Sequence, residues 1–491
     1  MRIIWFTCLL FIPFWGWSNG LKLEPIDRPD SVTLVVEISW ENSWRFREDS
    51  AAGNHDAIWV FVKYQTTSGV WHHLDLNSVG TEVATPGMLA TQVSSDQKGA
   101  WVYRNSPGTG DISPHELQLR LAQALPSDVI AISVFGIEMV WVPDGAFWLG
   151  DGQSNFTFKD SLTGGPYRVS SEAGISPEVL TTAGNVGPGS LVPESYPKGT
   201  RGFYQMKYEL GQAQYRDFLN CLSYSQQQTR TQASPNSASG TLAMALSPAF
   251  AGRNGIIISQ PGIPGQLAAR YACEANADGV YDQHDDGQTR ACNFISWADL
   301  AAYLDWAALR PLTELEFEKA CRGPREPVAR EFAWGTDQVI DANTLLMDGT
   351  DQESVAEQAQ GSAGLASHGY LGPQGPLRNG FGANDSSDRL QAGATYYGAL
   401  EMSGNLWEIC VGISNEGLPF DGQAGDGLLA STGDSNELTW PGASGAIFRG
   451  GAFNSGILPT FRDLAVSDRF YHDLTPSQRR NTTGGRGGRF P

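Results

Sequence analysis

The stretch Tyr396–Glu408, Y-Y-G-A-L-E-M-S-G-N-L-W-E, constrains the chain more than any other. Gly404 and Asn405 mark a tight turn, because Gly takes positive φ freely and Asn tolerates it better than most residues. Glu401 and Glu408 bracket that turn with hard oxygen ligands. Carbonyls of such a turn can face one way, which suits Ca²⁺. The same residues have a plainer reading, in which Glu408 caps or pairs locally and Trp407 is core. The run Arg449-Gly450-Gly451-Ala452-Phe453 follows about forty residues later.

A chain of 491 residues is long enough for two or three domains and a large core. Hydrophobic residues make up 41%, with 15 Trp, so the chain folds. Its net charge of −20 argues against a nucleic-acid partner, which would need clustered Lys and Arg. Residues 1–20 read as a signal peptide: Arg2, then a mostly apolar run Ile3–Trp17, then Ser18-Asn19-Gly20. That run is short for a membrane span, and no other segment is apolar enough to cross one. The chain is therefore expected to be exported: secreted, periplasmic or at the cell surface. Five cysteines remain, Cys221, Cys273, Cys292, Cys321 and Cys410, so at least one thiol is free or bridges molecules. Cys273 and Cys292 are the best local disulfide candidates, and no Cys/His zinc spacing occurs.

Residues 30–136 read as all-β. Val32–Trp40, Ala57–Tyr64, Val70–Leu76, Ala100–Tyr103 and Glu116–Leu121 are short runs of β-branched and aromatic residues, several alternating with period two. A small β-sandwich is the economical architecture. Trp40, Trp44, Trp59, Trp71 and Trp101 are either core or a carbohydrate-stacking surface. Asn42–Arg45 and Asn54-His55-Asp56 read as a pair of loops with no assigned chemistry. No flexible linker leads into residues 137–491, where stretches near 151–200 and 225–265 read as loop insertions. Two capping boxes, Ser296/Asp299 and Thr313/Glu316, announce helices over Trp297–Leu309 and before Gly323. Glu274-x-Asn276-x-Asp278-Gly279, ending at Asp285, echoes a calcium loop imperfectly, or is a solvated acidic loop.

Six blocks in order carry a family resemblance. They are Glu138–Gly150, Lys207–Asn220, Ile295–Asp299, Arg310–Gly323, Gly404–Glu408 and Arg449–Phe453. Together they resemble the formylglycine-generating enzyme, or sulfatase-modifying factor, family. The resemblance implies that an irregular C-type-lectin-like domain follows the N-terminal β-sandwich, and the whole is expected to be α+β.

Family enzymes oxidise a substrate cysteine with O₂ and a Cu(I) ion held by two cysteines, since soft thiolates select Cu(I). At the two matching positions this chain has Ser455 and Thr460, and a nearby family serine is Ala452. Copper is therefore not expected. A non-haem iron route would want a His-rich site, and the chain has only 7 His, with no H-x-x-x-H. Calcium is expected as a structural staple. One implied site takes Glu401, the carbonyls of Gly404 and Leu406, and Glu408; a second starts at Asn343 and the Thr344 carbonyl, with its acidic ligand missing near Gly369 and Leu371.

The expected function is binding of a polypeptide or glycan through a C-terminal face of Phe453, Asn454, Ser455, Arg462, Arg469, Phe470 and Tyr471. The alternative is a formylglycine-generating-type oxidoreductase acting on protein side chains through a site without the thiolate pair.

Overall fold

The structure, a computed structural model, describes residues 10–11, 20–47, 53–84, 87–179, 191–384, 386–458 and 461–491. The leader reading of residues 1–20 lies almost wholly outside them, as does Thr460. No helix among the described residues is long and apolar enough to cross a membrane.

The molecule is built around one strand, Val129–Val142. It pairs antiparallel with Asp56–Thr66 over most of its length and with Phe203–Met206 through Met139–Val142. From it a nine-stranded sheet extends both ways: through Asp56–Thr66 to Ala100–Arg104 and Leu89–Val93, and through Phe203–Met206 to Gly487–Arg489 and Arg310–Pro311. The strand runs unbroken through Gly136–Ile137, so one ladder ties the first 130 residues to the C-terminus.

Asp56–Thr66 shows why its sequence is apolar almost throughout. Side chains alternate across a strand. Ile58, Val60 and Val62 face a core shared with Leu34, Val36 and Ile38 of a second, four-stranded sheet. Trp59 and Phe61 face the opposite way, into a core with Phe218, Tyr303 and Trp306 from the helices. Both faces are covered, so a continuous hydrophobic run is what the position requires. Trp59 Nε1 donates to the Ala307 carbonyl at 2.9 Å, and buried Lys63 donates to that of Gly427 at 2.6 Å. Trp40, Trp59 and Trp101 are core, whereas Trp44 and Trp71 are half-buried.

Four α-helices occur among the described residues: α1 Gln212–Asn220, α2 Tyr224–Arg230, α3 Trp297–Trp306 and α4 Glu314–Arg322. Both expected capping boxes are formed. Gly323, at φ 67°, ends α4, and there a Cβ would clash with the Tyr396 ring. The stretch 225–265 is not simply loop: it holds most of α2 and the strand Ile256–Gln260, paired with Arg270–Cys273. The α2 capping box, Ser223 with Gln226, was the local signal for it.

Candidate functional site

Helix α4 frames the C-terminal region. Its Glu314, Glu316 and Glu318 are all fully buried. Glu314 accepts from Arg449 at 3.0 Å and from Arg469 at 2.7 and 3.1 Å. Glu316 takes a bidentate pair from Arg310 at 2.6 and 2.8 Å. Glu318 accepts from Arg449 at 2.7 Å and Arg322 at 3.1 Å. Charges this deep persist only when paired and hydrogen-bonded. The surrounding loops are thus fixed by where their arginines must reach.

Next to this frame is a pocket of about 230 Å³. Trp407, Phe448 and Tyr471 form aromatic walls, with Trp407 edge-on to Tyr471 at 5.1 Å. Asn454, Ser455 and Asp463 supply polar groups. Ser455 Oγ accepts from the Ala452 amide at 3.0 Å and lies beside the Asp463 carboxylate. Asp463 is 7% exposed, and its Oδ1 has no partner. Burial raises its pKa to about 6, with the Ser455 bond working against the shift.

Of the expected face, Asn454, Ser455 and Tyr471 line the pocket. Two members are corrected. Phe453, 2% exposed, packs with Ala291 and Leu406. Arg469, 1% exposed, is committed to Glu314. An aromatic in core and a guanidinium already neutralised present nothing to a ligand. Phe470 is half-buried and leans toward Phe156. The Arg462 side chain lies outside the described residues. Sequence reasoning missed Asp463, eight residues beyond Ser455, which carries no motif.

No described cysteine reaches this pocket. Cys410 alternates with Trp407 along Trp407–Val411, so it points to the other side of the sheet, into a core with Phe317 and Met402. Cys321 sits in that core, its Sγ 4.0 Å from Met402 Sδ. The expected Cys273–Cys292 bridge is also corrected. Both thiols are free and buried, and Cys292 Sγ donates to the Asn293 carbonyl.

The Gly404-Asn405 turn forms as read, with φ of 94° and 62°. Its carboxylates do not fit the implied calcium set. Glu408 spends both oxygens on Arg486, at 2.6 and 2.8 Å, and Arg486 also binds the carbonyls of Met206, Lys207 and Leu400. A guanidinium thus takes the Glu408 carboxylate that the implied set assigns to the ion. Glu209, unremarked in the sequence, takes the Leu406 amide and the Asn405 side chain. Burial, with Glu408 beside it, pushes Glu209 well above the carboxylate range. Glu401 accepts from the Gly380 amide, its Oε2 is buried without a partner, and burial raises its pKa to about 7.

At Asn343 the donors fit better. Its Oδ1 is buried without a partner, and the Thr344 carbonyl accepts from Ala356. Asp341 borders Gly369, where the linear match has no acidic side chain. The loop from Glu274 instead satisfies itself: Glu274 accepts from Gly279, Asn276 from Asp278, and Asp278 from Val280.

The buried carboxylates set a pH dependence. Glu401 binds its proton more tightly folded than unfolded, so stability falls as pH rises from about 4.5 to about 7. Glu401→Gln is expected to stabilise the protein at pH 8 and to have little effect at pH 4. Arg486→Met, which strands Glu408, is expected to cost about 3–5 kcal/mol. Urea unfolding at the two pH values checks both.

No curated protein matches the chain. Residues 136–487 match the family model described as sulfatase-modifying factor enzyme 1-like domain. That span runs from the central strand to the arginine that holds Glu408, and covers well over half of the chain. The protein belongs to the sulfatase-modifying factor family.

Proposed function

We propose that this chain is an exported ligand-binding member of the family, in which an N-terminal β-sandwich (residues 30–136) precedes a C-type-lectin-like domain (137–491) that grips without oxidising. One observation carries the reading. The pocket holds the Ser455 hydroxyl and the Asp463 carboxylate, oxygen groups that are poor partners for Cu(I). An aromatic-walled pocket with a buried, unpartnered carboxylate oxygen suits a hydrogen-bond donor, such as an amine or hydroxyl on a polypeptide or glycan.

A peptide and glycan array probed with the purified chain identifies the ligand. Asp463 accepts best when ionised, so affinity falls as pH drops through about 6. The expected loss between pH 8 and pH 5 is about tenfold, and Asp463→Asn removes the dependence. Affinity that stays constant from pH 5 to 8 contradicts the reading.

We place the structural calcium at Asn343, Thr344 and Asp341. Calcium in excess over EGTA is expected to raise the melting temperature of the wild type and not of Asn343→Ala. An equal rise in both removes calcium from this site.

A further inference from the structure

The loop that follows the strand Arg270–Cys273 concentrates negative charge. Glu274, Asp278, Asp282 and Asp285 fall within it, and Asp286 comes directly after. Bonds inside the loop are short-range: the Gly279 amide donates to Glu274 at 2.6 Å, that of Asp278 to Asn276 at 3.0 Å, and that of Val280 to Asp278 at 2.7 Å. Each uses one oxygen of its acceptor, so these bonds curl the loop without balancing its charge. Among the described residues, only Asp282 of this group meets a guanidinium, that of Arg216 at 2.5 Å.

Beneath the loop two carboxylate oxygens have no donor. Asp286 is fully buried; its Oδ2 accepts from the Gln283 amide at 2.8 Å, but its Oδ1 is unpartnered. Burial, with the negative charges of Asp285, Asp278 and Asp282 alongside, raises its pKa above the usual carboxylate value. Asp285 Oδ1 is likewise unpartnered, and the exposed His284 ring stays 3.9 Å from it, beyond hydrogen-bond reach. A buried carboxylate without a cation is costly, and neighbouring like charges add to the cost.

A hard cation relieves all of these groups at once. Glu274, Asn276, Asp278 and Asp285 stand at the first, third, fifth and twelfth positions of the loop, with Gly279 sixth and the Val280 carbonyl seventh. This is the spacing by which a single loop wraps Ca²⁺ with oxygen. Asn276 and Asp278 are exposed, so the ion enters from solvent through them. At present a neutral amide serves there: Gln283 Nε2 makes long bonds, 3.3 Å each, to Asp278 Oδ2 and the Val280 carbonyl. An ion among the exposed ligands also offsets the charge of Asp286 below them, because the attraction acts across a few ångströms without contact.

We propose that the loop 274–286 binds a calcium ion, at a site separate from the one at Asn343. An open, exposed loop belongs to the weak class of such sites, with Kd about 10⁻⁴–10⁻³ M, so it adds little to the melting temperature at lower calcium. The test is calorimetric titration of the full chain carrying Asn343→Ala, which silences the other site, with calcium up to about 10 mM. About one equivalent is expected to bind, and amide hydrogen exchange across 274–286 is expected to slow when it does. Adding Asp285→Asn, or Asp278→Asn on the exposed rim, is expected to weaken binding about tenfold or more, since ligand charge sets the affinity. Both substitutions remove a charge crowded by like charges, so without calcium each variant is expected to melt at or above the temperature of its parent. The proposal is overturned if the Asn343→Ala chain binds no calcium in this range, if both added substitutions leave binding as tight, or if the protected amides lie outside the loop.

Discussion

Three glutamates on a nine-residue helix govern the C-terminal architecture. Glu314, Glu316 and Glu318 of α4 are wholly out of water, and four arginines come to meet them from positions 310, 322, 449 and 469. Replacing such pairs by apolar groups is often tolerated, whereas removing one partner is not. Their effect is therefore geometric. Arg310 and Arg449 fix the strand ends that carry them, Arg469 fixes the irregular segment that carries it, and Arg322 closes the set from α4 itself. Arg486 does the same for the turn at Glu408.

This framework explains how a pocket can persist while its chemistry changes. Arg449 and Arg469 lie on either side of Ser455 in the chain and both end on Glu314. The segment between them is therefore tethered at both ends. Side chains there can vary without disturbing the tethers, because the tethers are buried and the pocket-facing groups are not part of them. Asp463, on the same segment, is a buried carboxylate whose Oδ1 has no partner.

Much of this was legible in the residues. The capping boxes at Ser296 and Thr313 located α3 and α4, since those contacts are local. The runs of β-branched and aromatic residues found the strands at Ala57 and Ala100. Pairings across long separations were not legible. Glu408 offered its oxygens to a calcium ion or to a side chain equally well, and only the fold brings Arg486, 78 residues on, against it. Phe453 and Arg469 sat in the right segment, yet linear order does not say which side chains turn inward. A cleft between the N-terminal sheets and the loop 386–400 was invisible for the same reason: some of its walls come from segments more than 300 residues apart.

The central claim is that oxygen groups have replaced the soft metal site in a retained scaffold. Anaerobic titration with Cu(I) against a competing chelator, followed by oxygen uptake in the presence of a cysteine-containing peptide, tests it directly. The account predicts that the chelator keeps the copper and that no peptide-dependent oxygen is consumed. One equivalent of Cu(I) held against the chelator, with turnover, would contradict it.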